Sequence, residues 1–315
     1  MPPSLQELHI NVPLSNFATQ LGTGSFAAPF ISPVLPVEKE SDKYWIGGRE
    51  ELDDDVETLR APGTPARTIN WGMATGDYSA DEHALAMYLP HRIRDNADNP
   101  IRPQQRTITK LRGKLDLKYE KKVKAYATNL AVVPNGGISG LGAGADWDAA
   151  SGTKIELNIF NAKEKIAGVI GREPNRIVIP KNVAIVMAVA PELLDLRKAW
   201  DQTLLVDGML PSRLWGMEVL IPGSLQNTAN PGQAATVARI WTEANVLLFY
   251  YEEPSLEYSG FGLTLRKRTP AGTDYMVKEW LDVPGYDSDL FQASFIQDAK
   301  IINPEAGYVI TTVYS

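Results

Sequence analysis

Hydrophobic residues recur at three- and four-residue intervals across residues 104–128, and this spacing predicts a long helix with one apolar face. The residues of this apolar stripe are Ile108, Leu111, Leu115, Tyr119, Val123 and Tyr126. Gly113 lowers the stability of such a helix by about 1 kcal/mol relative to alanine. Upstream, residues 80–89 are also compatible with a helix, which ends at Pro90 because proline lacks the amide hydrogen that a continuing helix needs.

Strand and helix signals alternate in the second half of the chain. The segment Thr153-Lys-Ile-Glu156 fits a capping box and predicts a helix that stops at Gly171. A buried strand is predicted over residues 175–180. A helix is predicted from Pro191, a residue type that suits the first helical position.

The remainder of the chain is predicted to be rich in strands. A loop of Gly, Asn and Pro residues over 222–233 precedes an apolar strand over 245–251. The region 254–315 carries β-branched and aromatic residues between turn signals, with strands predicted at 258–268, 275–283 and 308–314. Helices and strands therefore mix in an α+β chain.

Residues 1–40 combine apolar side chains with many prolines. The prolines are Pro2, Pro3, Pro13, Pro29, Pro33 and Pro36. Proline interrupts helices and strand ladders, so we expect an extended arm without regular structure. The apolar content is high for a solvated tail, and we therefore expect the arm to lie along its own or a neighbouring surface. A disordered terminus is the alternative.

Residues 41–79 predict a long hairpin with an acidic tip. One arm is residues 42–46, and the other is residues 67–71 continuing to Tyr78. The tip over residues 50–65 is rich in Pro and Gly. It contains an acidic cluster, which we define as Glu50, Glu51, Asp53, Asp54, Asp55 and Glu57. A charge run is most often a solvated surface, and the alternative is docking on a basic patch of another copy.

Composition restricts the classes of function. The chain has 315 residues, 44% of them hydrophobic, and a formal net charge of −7, so it has enough apolar material for a core but is not a polyanion binder overall. It contains no cysteine, which excludes disulfides and thiolate chemistry. No signal peptide or membrane-spanning run is recognised, and no membrane partner is expected.

Patterns typical of enzymes are missing. The histidines His9, His83 and His91 lack zinc-site spacing, and the glycine-rich stretch 140–144 lacks the Lys-Ser/Thr of a phosphate loop. No Gly-x-Ser-x-Gly elbow is present. Paired carboxylates such as Glu252 and Glu253 are the basis for a remote alternative, a hydrolase with acidic catalytic residues. We expect no catalytic residue, no metal and no cofactor.

The long predicted helix carries a strongly basic side. This basic face is defined by Lys110, Arg112, Lys114, Lys118, Lys121, Lys122 and Lys124. Only Asp116 and Glu120 oppose it. Such a face could bind nucleic acid phosphates without reading sequence, or it could receive the acidic cluster of a neighbouring copy. These two uses compete for the same lysines.

The order of these segments resembles the major capsid proteins of tailed bacteriophages, which have the HK97-like fold. The residues that carry the resemblance are Ala80-Asp-Glu-His-Ala-Leu85, Trp147-Asp148 followed by Ser151-Gly152, and Pro254-Ser255 ahead of Phe261-Gly262. The resemblance implies an N-terminal arm at 1–40, an extended loop at 41–79, and a spine helix at 104–128. It also implies a peripheral domain at 80–171 and 254–315, and an axial domain at 172–253.

The resemblance implies a structural protein that self-assembles into pentamers and hexamers of an icosahedral head around double-stranded DNA. Portal, scaffold and decoration proteins are implied partners, and the implied location is the virion, assembled in the host cytoplasm. An encapsulin shell is the nearest alternative. Within this plan, residues 222–235 are the candidate loop at the capsomer axis, because the segment is long, polar and flanked by glycines; a mobile loop of no such role is the alternative. Some family members crosslink through a lysine on the extended loop, but this chain has no lysine between Tyr44 and Thr109, so we expect no such crosslink.

Shell assembly predicts that anchors on the arm and the hairpin are buried between chains. The expected inter-subunit residues are Phe17, Phe26, Phe30, Trp45, Trp71, Glu50, Glu51, Asp53, Asp54 and Asp55. The alternative for each aromatic residue is burial in the core of its own chain.

Overall fold

The structure is a computed structural model of the chain. It describes residues 11–20, 26–46, 59–60, 62–66, 74–96, 102–137, 147–148, 154–193, 210–230, 232–234, 236–270, 272–311 and 313.

Helices and strands alternate irregularly along the described chain. The helices are α1 (Val12–Gln20), α2 (Ala28–Ile31), α3 (His91–Asp95), α4 (Pro103–Ala127), α5 (Ile155–Ile170) and α6 (Lys181–Val189). The first strands are β1 (Val34–Val37), β2 (Ser41–Ile46), β3 (Ala74–Ser79), β4 (Asp81–Pro90), β5 (Asn135–Gly137), β6 (Arg176–Val178), β7 (Arg213–Leu214) and β8 (Met217–Leu220). The others are β9 (Leu225–Asn227), β10 (Val237–Arg239), β11 (Val246–Phe249), β12 (Glu257–Tyr258), β13 (Gly262–Lys267), β14 (Met276–Trp280), β15 (Ser288–Ile301) and β16 (Gly307–Thr311).

The first sheet is built around β15, which has 14 residues. Strand β4 pairs along one side of β15, from Asp81↔Gln297 to Pro90↔Ser288. Strands β14 and β13 pair with successive parts of its other side, and β1 adds to β13 in parallel. The long helix α4 packs on this sheet through Ile108, Leu111 and Leu115. That apolar contact explains why the predicted stripe forms a helix with one buried side.

The second sheet has the order β5-β16-β11-β6-β8-β7. Its central strand β11 is buried at every position. Helices α5 and α6 cover it with an apolar cluster that includes Ile159, Ile166, Val183 and Met187. Trp147, which is fully buried, belongs to the same cluster and donates its backbone N–H to the carbonyl of Val313. The predicted division into peripheral and axial domains remains a prediction.

Two small sheets extend from this core. The hairpin β2–β3 pairs from Ser41↔Ser79 to Ile46↔Ala74, and β12 adds to β2 in parallel. Strands β9 and β10 form an antiparallel hairpin within the segment that was predicted as a loop over 222–233 and the residues that follow.

Most sequence-based predictions of elements agree with the structure. The helix predicted at 104–128 is α4, the predicted hairpin base is β2–β3, and the strands predicted at 175–180 and 245–251 are β6 and β11. Residues 191–193 are helical, as predicted from Pro191. Gly171 ends α5 with a left-handed φ of 69°, a conformation that glycine adopts without a steric penalty.

The prediction of a helix over residues 80–89 is wrong, because this segment is strand β4. All ten of its residues pair with β15. Alanine and leucine favour helices locally, but a complete ladder with a long neighbouring strand outweighs that preference.

The arm is not wholly extended, because residues 12–20 and 28–31 are helical. Pro13 and Pro29 each lie in the first turn of their helix, where no amide hydrogen is needed. The side chain of Asn11 accepts a hydrogen bond from Leu14 N at 3.0 Å and so caps α1.

The predicted capping box is also replaced by another contact. Lys154 occupies the N-cap position of α5 and makes no side-chain cap. The carboxylate of Glu192 instead accepts hydrogen bonds from Ile155 N at 2.7 Å and from Glu156 N at 3.2 Å. Thr153 lies outside the described residues.

Candidate assembly surfaces

Six of the seven residues of the basic face predicted for α4 are exposed or half-buried, and the contact of this face with DNA or a neighbouring copy remains a prediction. Lys110, Lys114, Lys118 and Lys121 are exposed. Lys122 is also exposed but lies 3.6 Å from a carboxylate oxygen of Asp298. Lys124 is half-buried in an ion pair with Glu243. Arg112 is wrongly included, because its side chain is buried.

Arg112 belongs to a buried polar cluster between α4 and the first sheet. Its guanidinium lies 3.2 Å from Asp116, donates to the carbonyl of Ala18, and stacks 4.6 Å from the ring centroid of Tyr275. The hydroxyl of Tyr275 donates to Asp116, and burial raises the pKa of Tyr275 to about 12. Both charges of the Arg112–Asp116 pair are therefore internal, and neither is available to a partner.

The exposed side of α4 carries a basic stripe, which we define as Arg106, Lys110, Lys114, Lys118 and Lys121. Spacings of four, four, four and three residues place these side chains on one side of the helix. At 1.5 Å per residue, the stripe is about 22 Å long. The two acidic residues of α4, Asp116 and Glu120, are both buried. The exposed side is therefore uniformly positive.

The aromatic anchors of the arm contact their own chain. Phe17 is partly buried and packs against the apolar cluster between α4 and the first sheet. Phe26 is half-buried. The ring of Phe30 lies edge-on to Phe249 with centroids 5.9 Å apart, and the guanidinium of Arg176 lies 4.3 Å from its centroid. The inter-subunit role of Phe17, Phe26 and Phe30 remains a prediction.

The predicted contacts of the hairpin can be located only in part. Trp45 is 45% exposed on β2. Trp71, Glu50, Glu51, Asp53, Asp54 and Asp55 lie outside the described residues.

The edge strands of the first sheet differ in how far other parts of the chain cover their backbone. The edge of β14 is covered by α1, because Asn11 N donates to Val277 O at 2.9 Å and Val277 N donates to Ser15 Oγ at 3.0 Å. Strand β1 has four residues, one of which is Pro36. Strand β4 has ten, and within the described chain its backbone pairs only with β15 over its length. Within the described residues this edge of β4 is unpaired, and a long unpaired edge can serve as a template for pairing with another chain.

An apolar groove of about 560 Å³ lies beside this open edge, between β4, α3 and α4. Met87, Leu89 and Ile93 supply its apolar lining, and Ile93 is 59% exposed. Arg92 and Arg106 also line the groove, with Lys110 of the basic stripe next to them. The groove therefore has an apolar floor and a positive rim, and none of its lining residues is acidic.

A charged clasp closes the end of the sheet next to the groove. The imidazole of His91 lies between Asp287 and Asp289, with N–O distances of 3.0 Å to each, and Arg94 lies 2.6 Å from Asp289. The hydrogen bond with Asp289 raises the pKa of His91 above its ordinary value. Burial acts to raise the pKa of Asp289, but hydrogen bonds from Asp282 N, His91 and Arg94 outweigh burial and lower it.

Arg92 and Arg106 were not identified from the sequence as residues of the groove. Glu120 was also not identified as a buried residue. Glu120 was counted only as an opposing charge on the basic face. A signal was available, because Asp116 and Glu120 each directly follow a residue of the apolar stripe, Leu115 and Tyr119. Each therefore lies at the border of the apolar stripe and not on the opposite side of the helix.

The described residues contain no group of three or more His, Cys, Asp or Glu side chains placed to hold a metal ion. None of the described helices is long and apolar enough to cross a membrane.

Comparison with known proteins gives consistent names. No protein-family model matches the chain. It is 24% identical over 318 residues to the "Major capsid protein" of Burkholderia phage BcepMu, with 98% of each chain covered. Its fold resembles a phage-related protein from Bordetella bronchiseptica RB50, with a TM-score of 0.74, 21% identity and coverage of 96% and 97% of the two chains.

Shell proteins of two kinds share this fold. The capsid of cyanophage P-SCSP1u gives a TM-score of 0.62 at 14% identity, covering 92% of this chain and 90% of that chain. An encapsulin from Synechococcus elongatus gives a TM-score of 0.50 at 11% identity, covering 94% and 92%. The fold of the chain is thus the HK97-like fold, and phage capsids dominate among the similar proteins.

Proposed function

We propose that this chain, a major capsid protein with the HK97-like fold, assembles head-to-tail into the pentamers and hexamers of an icosahedral head that encloses double-stranded DNA. The observation that carries the proposal is the placement of two features at opposite ends of β15. The hairpin β2–β3 lies near one end, and the open groove lies at the other.

These two features lie far apart within one copy, and the proposal pairs each with the other feature of a neighbouring copy. Near the hairpin, Lys300 Nζ donates to Asp77 O at 2.6 Å and Ser79 N donates to Asp298 Oδ2 at 3.3 Å. The groove adjoins Leu89, which pairs with Asp289. The ten residue-to-residue steps from 289 to 299 span about 34 Å at 3.4 Å per step. A feature at one end that fits a feature at the other generates a ring when the rotation closes.

Charge and polarity support the acidic cluster as the part that meets the groove. The cluster has six carboxylates within eight residues, interleaved with Leu52 and Val56. The groove offers apolar lining together with the positive side chains of Arg92 and Arg106. An extended segment next to β4 can also pair with its open backbone edge, a common mode of peptide recognition. The inter-subunit roles of Trp45 and Trp71 belong to the same proposed contact.

The basic stripe serves both uses in this proposal. Its N-terminal part, Arg106 and Lys110, adjoins the groove and meets the neighbouring copy. Its C-terminal part, Lys114, Lys118 and Lys121, is available to packaged DNA, whose phosphates attract lysines without sequence preference. We place the assembled protein in the virion, after assembly in the host cytoplasm.

Stability of such a head rests on noncovalent contacts, because the segment between Tyr44 and Thr109 has no lysine to form an isopeptide crosslink. Portal, scaffold and decoration proteins complete the proposed set of partners. We propose no catalytic activity. A hydrolase would need a cleft with two convergent carboxylates, whereas the groove is lined by none.

An encapsulin shell is the second candidate, and the similarity to the encapsulin fold favours it over any enzyme. The two candidates differ in what the shell contains. Phage heads hold DNA that enters through a portal, whereas encapsulin shells hold a cargo protein.

Electron microscopy of the purified chain tests the proposal, with the chain expressed alone and together with its neighbouring genes. We expect closed shells, or rings of five and six subunits. DNA within shells supports the phage head, and a cargo protein supports the encapsulin. A monodisperse monomer under every condition would overturn both.

A further inference from the structure

The carboxylate of Glu120 is fully buried in the middle of the fold, on α4. Its Oε1 accepts hydrogen bonds from Ala27 N at 2.9 Å, Trp241 Nε1 at 2.7 Å and Ser224 Oγ at 3.2 Å. Its Oε2 accepts one from Ala28 N at 2.7 Å. No ion pair to Glu120 occurs among the described residues, and within that part of the chain these four donors compensate its burial.

The four donors come from two segments that are far apart in sequence. Ala27 and Ala28 begin helix α2 of the arm. Ser224 directly precedes β9, and Trp241 follows β10 by two residues, so both lie at the base of the β9–β10 hairpin. The carbonyl of Ser224 also accepts a hydrogen bond from Ile240 N at 3.1 Å. One carboxylate therefore holds the arm and both sides of the hairpin base.

The arm connects the two main sheets near this point. On the first sheet, the hydroxyl of Ser32 lies 2.8 Å from that of Thr264, and β1 extends β13. On the second sheet, Arg176 of β6 donates to the carbonyl of Phe30 at 2.8 Å. The arm therefore contacts both the first and the second sheet.

We propose that Glu120 couples the N-terminal arm to the β9–β10 hairpin, so that release of either segment loosens the other. A buried carboxylate is tolerated only while it is hydrogen-bonded. Loss of one donor leaves the anion undercompensated and favours its rehydration, which weakens the remaining hydrogen bonds. The hairpin presents exposed Leu225 and Val237, with 52% and 64% of their surface accessible. A contact made by the arm is in this way transmitted to the exposed apolar side chains of the β9–β10 hairpin.

Amide hydrogen exchange on the unassembled chain tests this coupling. Trp241→Phe and Ser224→Ala each remove one donor at the hairpin and leave the sequence of the arm unchanged. Trp241 also packs in the same apolar cluster as Ala27 and Ala28, so Ser224→Ala is the variant that removes a donor without removing apolar contacts. We expect each to accelerate exchange of the Ala27 and Ala28 amides, by about tenfold for Trp241→Phe, because a hydrogen bond to a charged group is lost. Glu120→Gln is expected to accelerate exchange in both the arm and the hairpin.

Ser294→Ala is the matched control, because the buried hydroxyl of Ser294 has no hydrogen-bond partner in the described part of the chain. It should leave exchange in the arm unchanged. Acceleration of all slow amides, including those of β13, would indicate general destabilisation and overturn the coupling. The coupling would also be overturned if the Ala27 and Ala28 amides of Trp241→Phe exchanged at the wild-type rate. If Glu120→Gln does not fold, Trp241→Phe and Ser224→Ala still test the coupling. All of these measurements use the unassembled chain, so their outcome does not depend on whether shells form.

Discussion

His91 and Asp289 join the ends of β4 and β15, with Nε2 of His91 3.0 Å from Oδ1 of Asp289. Asp287 approaches Nδ1 of the same ring at 3.0 Å, and Arg94 shares Asp289. The two contacts to carboxylates favour the imidazolium form, against the opposing charge of Arg94. This clasp holds α3, which forms one wall of the groove.

The raised pKa of His91 predicts a pH dependence with a defined sign. The contribution of protonated His91 to the free energy of unfolding is complete below the ordinary pKa of 6.5. It is lost as the pH rises through the higher pKa of the folded state. The lowered pKa of Asp289 gives a contribution that is present above 3.8 and lost as the pH falls through its folded-state value. We expect the stability difference between wild type and His91→Gln to shrink above pH 6.5 in thermal unfolding.

His83 provides a control of opposite sign. Burial, together with Lys118 and Lys122, lowers its pKa. Wild type should therefore lose stability relative to His83→Gln as the pH falls below 6.5, while the difference stays constant above it. Parallel pH profiles for the two variants would contradict at least one of the two assignments.

Charge reversal at the groove tests the contact between copies. Arg92→Glu with Arg106→Glu is expected to block ring and shell formation, because the rim would then repel the acidic cluster of the neighbour. Both side chains are exposed, so unfolding free energy of the unassembled chain should change by less than about 1 kcal/mol.

The matched control is Lys114→Glu with Lys121→Glu, which changes the net charge equally but lies farther along α4. We expect this control to form shells. Reversing Asp53 and Asp54 to arginine in the groove variant should restore assembly. Normal shells from the groove variant, seen by electron microscopy, would refute the proposed docking.

The sequence predicted α4 because its periodicity extends over many turns, but it could not predict which polar residues that helix buries. Arg112 and Glu120 are buried because the sheet cluster, the arm and the hairpin base contact α4 on several sides. A stripe of apolar residues indicates only the centre of such a buried surface. The burial of charge depends on partners such as Ala18 and Trp241, which are distant in sequence.

The unpaired edge of β4 could not be predicted from the sequence either, because it also depends on contacts between distant segments. Strand β4 has the composition of a helix, and it is a strand only because β15 offers a partner for all ten residues. The groove forms where β4, α3 and α4 meet, so it required the pairing register to be known. The hairpin β2–β3, by contrast, was predictable because its two strands are close in sequence and are separated by a segment rich in Gly and Pro.

Removing lysines from the basic stripe tests binding of DNA. Lys114→Gln, Lys118→Gln and Lys121→Gln together should leave shells intact and weaken binding to double-stranded DNA. The slope of log affinity against log salt should decrease in magnitude by about 2.7, because each phosphate contact contributes about 0.9. A control with Lys43, Lys154 and Lys165 changed to glutamine, all exposed elsewhere, should keep the wild-type slope. Equal slopes for the two triple variants would contradict a role of the stripe in DNA binding.

Phe30 and Trp45 should separate folding from assembly. The ring of Phe30 packs on Phe249 and Arg176 within its own chain, so Phe30→Ala should lower the unfolding free energy of the unassembled chain by about 2 kcal/mol, below the range for a fully buried phenylalanine. Trp45 is 45% exposed, so Trp45→Ala should lower that free energy by less than about 0.5 kcal/mol and reduce the yield of shells. Denaturant unfolding and particle counts give the two quantities. If Trp45→Ala destabilises the chain as much as Phe30→Ala while shells form normally, Trp45 belongs to the core of its own chain and not to a contact between copies.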